Sequence, residues 1–397
     1  MKKTKTVKQK LRANFLWLHR WLGLISGIVV FIVSISGCLY VFEEEGRDIF
    51  QRKYFYVSAT DHAERKSLHE ITAVVKTQYP KDSITQIRFK EKANAAIIVH
   101  TKTEKAISVN PYTLQVIGVR NLKTDFFNWI VKFHMTLHMG ELGNEIVRWN
   151  VLIFFIICIT GLIIWWPKQK KFLKQVIRIN FKTKNWKRLN WDLHSVLGFY
   201  SLVVLLIISL TGIFWMFDWA KKFTALATGS KQSDTKPPVN KTKTATAVYA
   251  MEDAYYKAKE LYPGAAQVFI SNSVDAKQPL RILFRYPYTL VRKQNTLFFD
   301  KYSGELLRED LYKNYTAYDK VMRSNFDFHT GRIRALGIGS KIIYFLASLF
   351  AASLPVTGFL IWWGRRRKTK AIGQKVEQKF VRRVEQKVEA LPVSSFD

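Results

Sequence analysis

The sequence predicts an α-helical membrane protein: a four-transmembrane-helix bundle made by internal duplication, carrying two extracytoplasmic α+β domains. Three observations predict it. Four apolar runs, residues 21–42, 146–166, 193–217 and 336–363, each approach or exceed the about 20 residues that cross a hydrocarbon core. Basic residues concentrate in the short segments that flank those runs. Motifs also recur at a fixed offset: His19 and His194, Gly23 and Gly198, and Gly37 and Gly212 each stand 175 residues apart.

The charge sets the orientation. The chain has 397 residues and a formal net charge of +33, a balance that in a soluble protein would point to nucleic acid. The four apolar runs argue instead for a lipid bilayer and against a nucleic-acid partner. Residues 1–20 hold seven Lys or Arg and no acid, residues 167–192 nine against one acid, and residues 364–397 ten against four. Short basic segments stay cytoplasmic, so both termini are expected inside a bacterial inner membrane. The chain then divides into a basic N-terminus and span 1 (1–42), an outer domain (43–145), span 2 (146–166), a basic cytoplasmic loop (167–192), span 3 (193–217), a second outer domain (218–335), span 4 (336–363) and a basic tail (364–397).

Each element has its own signals. The first apolar run is too long for a signal peptide, and no small-residue cleavage site precedes Glu43-Glu44-Glu45, so an uncleaved anchor is expected. Arg148 and Lys341 sit at outer span ends, where long side chains snorkel. The Glu43–Glu45 run reads as a solvated acidic patch. In each outer domain a helical pattern is followed by short alternating strands. The first has a helix at 68–79 stopped by Pro80, then strands at 84–89, 95–100 and 106–109. The second has a helix at 251–262 stopped by Pro263-Gly264, then strands at 267–271, 280–286 and 296–299. Residues 229–246 read as a flexible linker, and 376–388 as either a basic amphipathic helix or a solvated tail. Trp165-Trp166 and Trp362-Trp363 close two spans and read as an inner aromatic belt.

The histidines carry the chemistry. Of eight, His62, His69 and His100 lie in the first outer domain without a partner pattern and read as surface residues. The other five lie at span ends. His19 and His194 open spans 1 and 3 at the cytoplasmic face; His134, His138 and His329 precede spans 2 and 4 at the outer face. Two histidines per face, one from each half, suit bis-histidine ligation of one haem per face. Gly23 and Gly198 follow His19 and His194 by one turn on the same helix face, where they would clear room for a macrocycle edge. His134 and His138, read as i and i+4, point the same way and cannot be opposite axial ligands. Spacing to the downstream Thr-Gly makes His134 the closer counterpart of His329, with His138 as the alternative. Cys38 and Cys158 fall inside spans and there is no Cys-x-x-Cys-His, so two non-covalent b-type haems are expected. No nicotinamide, flavin or ATP fingerprint is present. Electrons would therefore come from quinol or a separate reductase. No catalytic residue is assigned.

The repeated Leu18-His19-Arg20-Trp21-Leu22-Gly23 and Leu193-His194-x-x-Leu197-Gly198, Phe133-His134-Met135-Thr136-Leu137, Phe328-His329-Thr330-Gly331 and the two Thr-Gly…Trp-Trp endings resemble the PepSY-associated transmembrane helix family. The resemblance covers roughly residues 15–367. Asn110-Pro111-Tyr112-Thr113 and Asp300-Lys301-Tyr302-Ser303-Gly304 look like the closing turn of its PepSY domains, although the first turn has Leu114 where the second has Gly304. That family includes iron-regulated inner-membrane proteins and di-haem ferrisiderophore reductases. The resemblance implies an oxidoreductase that reduces a ferric siderophore on the outer face, with His19, His134, His194 and His329 matching the family's histidines. The alternative is a non-enzymatic, membrane-anchored PepSY module that binds a peptide or peptidase. A transporter would want charged or broken mid-span segments, which these runs lack.

Overall fold

A computed structural model describes residues 6–58, 64–167, 169–231, 236–242 and 249–389. Among the described residues eleven α-helices and eight strands run in the order α1 (Val7–Val41), α2 (Glu43–Phe50), α3 (Leu68–Gln78), β1 (Ile84–Lys90), β2 (Ile97–Thr101), β3 (Lys105–Val109), β4 (Val116–Asn121), α4 (Phe126–Thr136), α5 (Gly140–Trp165), α6 (Leu173–Val176) and α7 (Trp186–Met216). Then come α8 (Asp218–Ala227), α9 (Met251–Leu261), β5 (Gln267–Asn272), β6 (Leu280–Arg285), β7 (Gln294–Phe299), β8 (Leu306–Asp310), α10 (Ala317–Thr330) and α11 (Gly337–Glu389). Four helical stretches, Val7–Val41, Gly140–Trp165, Trp186–Met216 and Arg334–Arg366, are long and apolar enough to cross a membrane. The chain separates into a helical unit (Met1–Ile35, Trp149–Leu206, Leu346–Asp397) and a sheet unit (Ser36–Arg148, Ile207–Phe345).

In the helical unit, small and polar residues let the helices approach. Gly27 of α1 faces Pro355 of α11 so closely that an added Cβ would stand 3.3 Å from the proline ring. Asn150 of α5 donates to the Ser26 carbonyl of α1 at 3.3 Å, and Asn190 of α7 donates to the Thr357 carbonyl of α11 at 3.0 Å. An unpaired amide in an apolar setting costs several kcal/mol, so each bond fixes which helix faces which.

The sheet unit departs from the sequence expectation of two small sheets. All eight strands form one antiparallel sheet, ordered β4-β3-β2-β1-β5-β6-β7-β8. The join is β1 against β5, with Ile87 opposite Ile270 and Phe89 opposite Val268. Each half thus closes the other half's open edge, which would otherwise expose a row of unpaired backbone groups. Helices α3 and α9 cover one face. Ile71 and Val75 from α3, and Ala254 and Ala258 from α9, pack on Ile87, Val99, Ile270 and Ile282, all fully buried. Ser67 starts α3 with a capping box to Glu70. Strands β4 and β8 were not legible as strands because all but one of their residues are exposed or partly exposed and their apolar alternation is weak.

The two closing turns share one backbone shape. Asn110 Oδ1 accepts from the Tyr112 N–H at 2.9 Å, and Asp300 Oδ1 from the Tyr302 N–H at 2.9 Å. Leu114 adopts φ +62°, the same left-handed region that Gly304 occupies at +70°, so the missing glycine leaves the turn intact at a cost of about 1–2 kcal/mol. Gly304 itself has no room for a Cβ, which would meet the Tyr249 ring at 2.6 Å. Asp300 also accepts from the backbone N–H groups of Lys241 and Thr242, at 2.8 and 3.1 Å. Lys241 and Thr242 of the expected linker 229–246 are therefore pinned to the sheet rather than free; residues 232–235 and 243–246 lie outside the described residues. The tail continues as helix to Glu389, and its side chains beyond Arg366 are likewise largely undescribed.

Candidate functional site

Two histidine pairs emerge, one in each unit. In the helical unit, His19 of α1 and His194 of α7 stand with ring centroids 6.4 Å apart and planes at 87°. His19 Nδ1 lies 3.1 Å from Thr160 Oγ1 and 3.2 Å from the Ile157 carbonyl of α5. His194 Nδ1 lies 2.8 Å from Thr357 Oγ1 of α11. Proton accounting then fixes both tautomers. Thr160 gives its single hydroxyl proton to the Ile156 or Ile157 carbonyl, at 2.9 and 3.1 Å. Thr357 gives its own to Ser353 or Leu354, at 3.0 and 3.1 Å. A hydroxyl whose proton is committed can only accept, so each Nδ1 donates and each Nε2 keeps a lone pair. Among the described residues neither Nε2 makes a hydrogen bond.

The next residue makes room for the ring. A Cβ at Gly161 would stand 3.2 Å from His19 Cε1, and one at Gly358 3.2 Å from His194 Cε1. Thr-Gly therefore acts as a holder, its hydroxyl taking the N–H and its glycine admitting the imidazole. The pair opens on a cavity of about 760 Å³ whose lining includes Gly23, Gly198, Trp165 and Arg20, within the size range of small-molecule and cofactor sites. A Cβ at Gly23 would meet nothing within 4 Å, so that position fronts open space. At Gly198 it would touch Leu354 at an ordinary 3.6 Å, so there the need for glycine is weaker than expected. Trp165 lies flat on Phe199, centroids 3.8 Å apart and planes at 4°, which makes it a wall of the cavity rather than a belt anchor. Trp166 and Trp363 are exposed, as a belt requires.

In the sheet unit, His134 of α4 and His329 of α10 stand 6.2 Å apart with planes at 77°. Asp125 caps the start of α4. Thr316 starts α10 with a capping box to Asp319, and Gly331 ends it in the left-handed region; both helices thus place their histidine in the last turn. His329 Nδ1 lies 2.9 Å from Thr211 Oγ1 and 3.1 Å from the Ile208 carbonyl. Thr211 commits its proton to Ile207 or Ile208, at 2.7 and 2.8 Å, so the same tautomer follows. His134 Nδ1 lies 3.0 Å from Ser36 Oγ. Burial, and next the neighbouring His134, push the His329 pKa down to about 3: the imidazole stays neutral and able to ligate at any physiological pH.

His138 is elsewhere. Helix α4 ends at Thr136, and Leu137 and His138 both take positive φ, +50° and +56°. The expected i, i+4 relation to His134 therefore does not exist. His138 stacks on Phe133, lies 4.6 Å from the Trp129 ring, and bonds the Trp129 carbonyl through Nε2 at 3.2 Å. His69 is exposed and meets Asp253 at 2.9 Å. His100 is not the surface residue expected: its Nε2 is buried without a partner, and burial, then Arg88 and Arg120, hold its pKa down to about 3. His62 lies outside the described residues.

The sheet unit also holds a network of ion pairs. Glu43 pairs with Arg47 and Arg332, and Glu44 with Arg332, Arg334 and Lys341. Glu45 meets Lys341 at 2.7 Å. The three glutamates are thus neutralised rather than a solvated patch, and Lys341, 5% exposed, is paired rather than snorkelling. Burial alone would raise Glu44, yet Arg332, Lys341 and Arg334 hold it at about 2. Buried Asp125 is likewise held at about 2 against its own burial by Arg47 and Gln51.

The residues that sequence reasoning missed are Thr160, Thr357, Thr211 and Ser36. Their signal was present: each is followed by glycine, at positions 161, 358, 212 and 37, but those dipeptides had served only as spacing markers. No curated protein matches the chain. The model of the PepSY-associated TM region matches residues 16–365. That match, with four membrane-length helices in the described residues, shows that the chain belongs to the PepSY-associated TM region family and is a membrane protein.

Proposed function

We propose that each histidine pair holds one b-type haem and that the protein passes electrons across the bacterial inner membrane to a ferric chelate, such as a ferrisiderophore, on the outer side. The observation that carries the reading is the pairing itself: two imidazoles about 6 Å apart in each pair, with Nδ1 of His19, His194 and His329 committed as donor and their Nε2 left with a lone pair. Two metal–imidazole bonds of about 2 Å each would take up about 4 Å of that separation, and the two ring radii the rest. Among the described residues no group of three or more His, Cys, Asp or Glu is placed to hold a bare metal ion. The cavity beside His19 and His194 has the volume for a macrocycle, and Arg20 in its lining offers a cation to a carboxylate.

A bound haem would supply reversible one-electron chemistry at near-constant geometry. The protein's part is to orient four imidazoles, exclude water from them, and keep them neutral. The donor is quinol or a separate reductase. The acceptor is substrate: one electron converts Fe(III) to Fe(II), which a hard-oxygen chelate holds less tightly. Both termini lie on the cytoplasmic side in this reading, as the basic segments imply.

The test is a visible spectrum of the detergent-purified protein, oxidised and then dithionite-reduced, with a pyridine haemochrome count. Two b-type haems per chain and sharp low-spin α-bands are expected, followed by reoxidation on adding a ferric chelate. Absence of haem after expression with ample haem supply overturns the reading and leaves the membrane-anchored PepSY binding module.

A further inference from the structure

We infer that Thr160, Thr357, Thr211 and Ser36 are positioning residues that set the electron-donor strength of the four imidazoles, and through it the two reduction potentials. The inference rests on the haem reading above and deepens it.

A threonine inside a helix can return its hydroxyl proton to the carbonyl three or four residues earlier, and Thr160, Thr211 and Thr357 all do so. The proton therefore cannot face the histidine, and the oxygen lone pair must. An imidazole that donates Nδ1–H to a fixed acceptor gains electron density at Nε2 and cannot rotate or change tautomer. At His19 and His329 a backbone carbonyl shares the Nδ1–H, at 3.2 and 3.1 Å, so the acceptor is doubled. These hydroxyl and carbonyl acceptors are uncharged. They give less push than the carboxylate partners common in metal sites, and suit a carrier that must release its electron as well as receive it.

The arrangement also predicts which substitution acts on which site. Thr160 and Thr357 bond the histidines of the His19–His194 pair, and Ser36 and Thr211 those of the His134–His329 pair. Valine keeps threonine's shape and removes the acceptor. A weaker donor stabilises the ferric state less, so the potential of the affected haem should move positive.

The experiment is spectroelectrochemical titration of the full-length protein in detergent, with haem content measured on the same samples. Thr160→Val and Thr357→Val should shift one midpoint positive and leave the other in place. Thr211→Val and Ser36→Ala should shift only the second. Thr160→Ser, Thr211→Ser and Ser36→Thr should restore wild-type values. Haem affinity should fall by about 10- to 100-fold in the variants that lose the hydroxyl. A valine variant that loses haem where its serine counterpart keeps it supports the same role. Full haem content with both midpoints unmoved overturns it, as does equal haem loss from the valine and serine variants. Wild-type protein without haem overturns the underlying reading as well.

Discussion

The two histidine pairs reach the same local chemistry from different materials. His19 and His194 sit within membrane-length helices, and their partners Thr160 and Thr357 come from two more such helices. Orientation there needs only packing, one hydroxyl and one glycine each. His134 and His329 sit at the ends of short helices, α4 and α10, which have no long helix body to hold them. They are fixed instead by caps and by ion pairs that tie α2, α4, β4 and the segment after α10 together, through Arg47–Asp125, Arg120–Asp125 and Arg332–Glu43. The difference teaches that one pair is held by apolar helix geometry and the other by charge, so they should fail under different insults.

The sharpest break is deletion of a ring. His19→Ala or His194→Ala should lower haem content from two to one per chain and leave the second haem's spectrum intact; His134→Ala or His329→Ala should do the converse. A stoichiometry that falls to zero or stays at two with any of the four would dissolve the comparison. Next in size is Arg47→Met. It strips the main partner from Asp125, whose side chain is 2% exposed, and removal of one member of a buried pair costs about 3–5 kcal/mol. Differential scanning calorimetry should show one transition lowered, with the His19–His194 haem still bound.

Acid should act on the same side of the comparison. His329 titrates near 3 when folded and near 6.5 when unfolded, so the unfolded chain takes up the proton first. Its contribution is complete above pH 6.5 and is lost as pH falls from there toward 3. Glu44, held near 2 against an ordinary 4.5, loses its contribution as pH falls from 4.5 toward 2, the same direction. At pH 5, His329 alone should cost the haem-free protein about 2 kcal/mol. Urea unfolding at pH 7.5 and 5.0 reads this, and an unchanged midpoint would remove the neutral buried imidazole from the account. The smallest expected effect is that of His138→Ala: two haems retained, with only the contacts to Trp129 and Phe133 lost.

Much of this was legible in the sequence because period and spacing survive without coordinates. Apolar length gave the spans, and the 175-residue offset singled out His19 and His194. The ruler from Thr-Gly preferred His134 to His138. What stayed hidden depended on contacts between distant segments. Nothing local marks β1 and β5 as neighbours, since an inner edge strand has the same alternation whether it is paired or open. His100 looked like a surface residue because its surroundings, the charges of Arg88 and Arg120 among them, come from the other strands β1 and β4. The i, i+4 reading of His134 and His138 assumed a helix that Leu137 ends by turning left-handed, a conformation leucine seldom adopts.

The β1–β5 seam has a consequence for how the chain is made. Strand β1 is synthesised some 180 residues before its partner β5. A half-sheet of β1–β4 formed in that interval would leave the β1 edge uncovered, and open edges recruit other strands. Two ribosomes on one message present identical open edges at the same membrane, so the hazard is greatest between siblings. A stall placed before residue 267 should therefore yield dimers crosslinked through β1, and one placed after residue 272 should not.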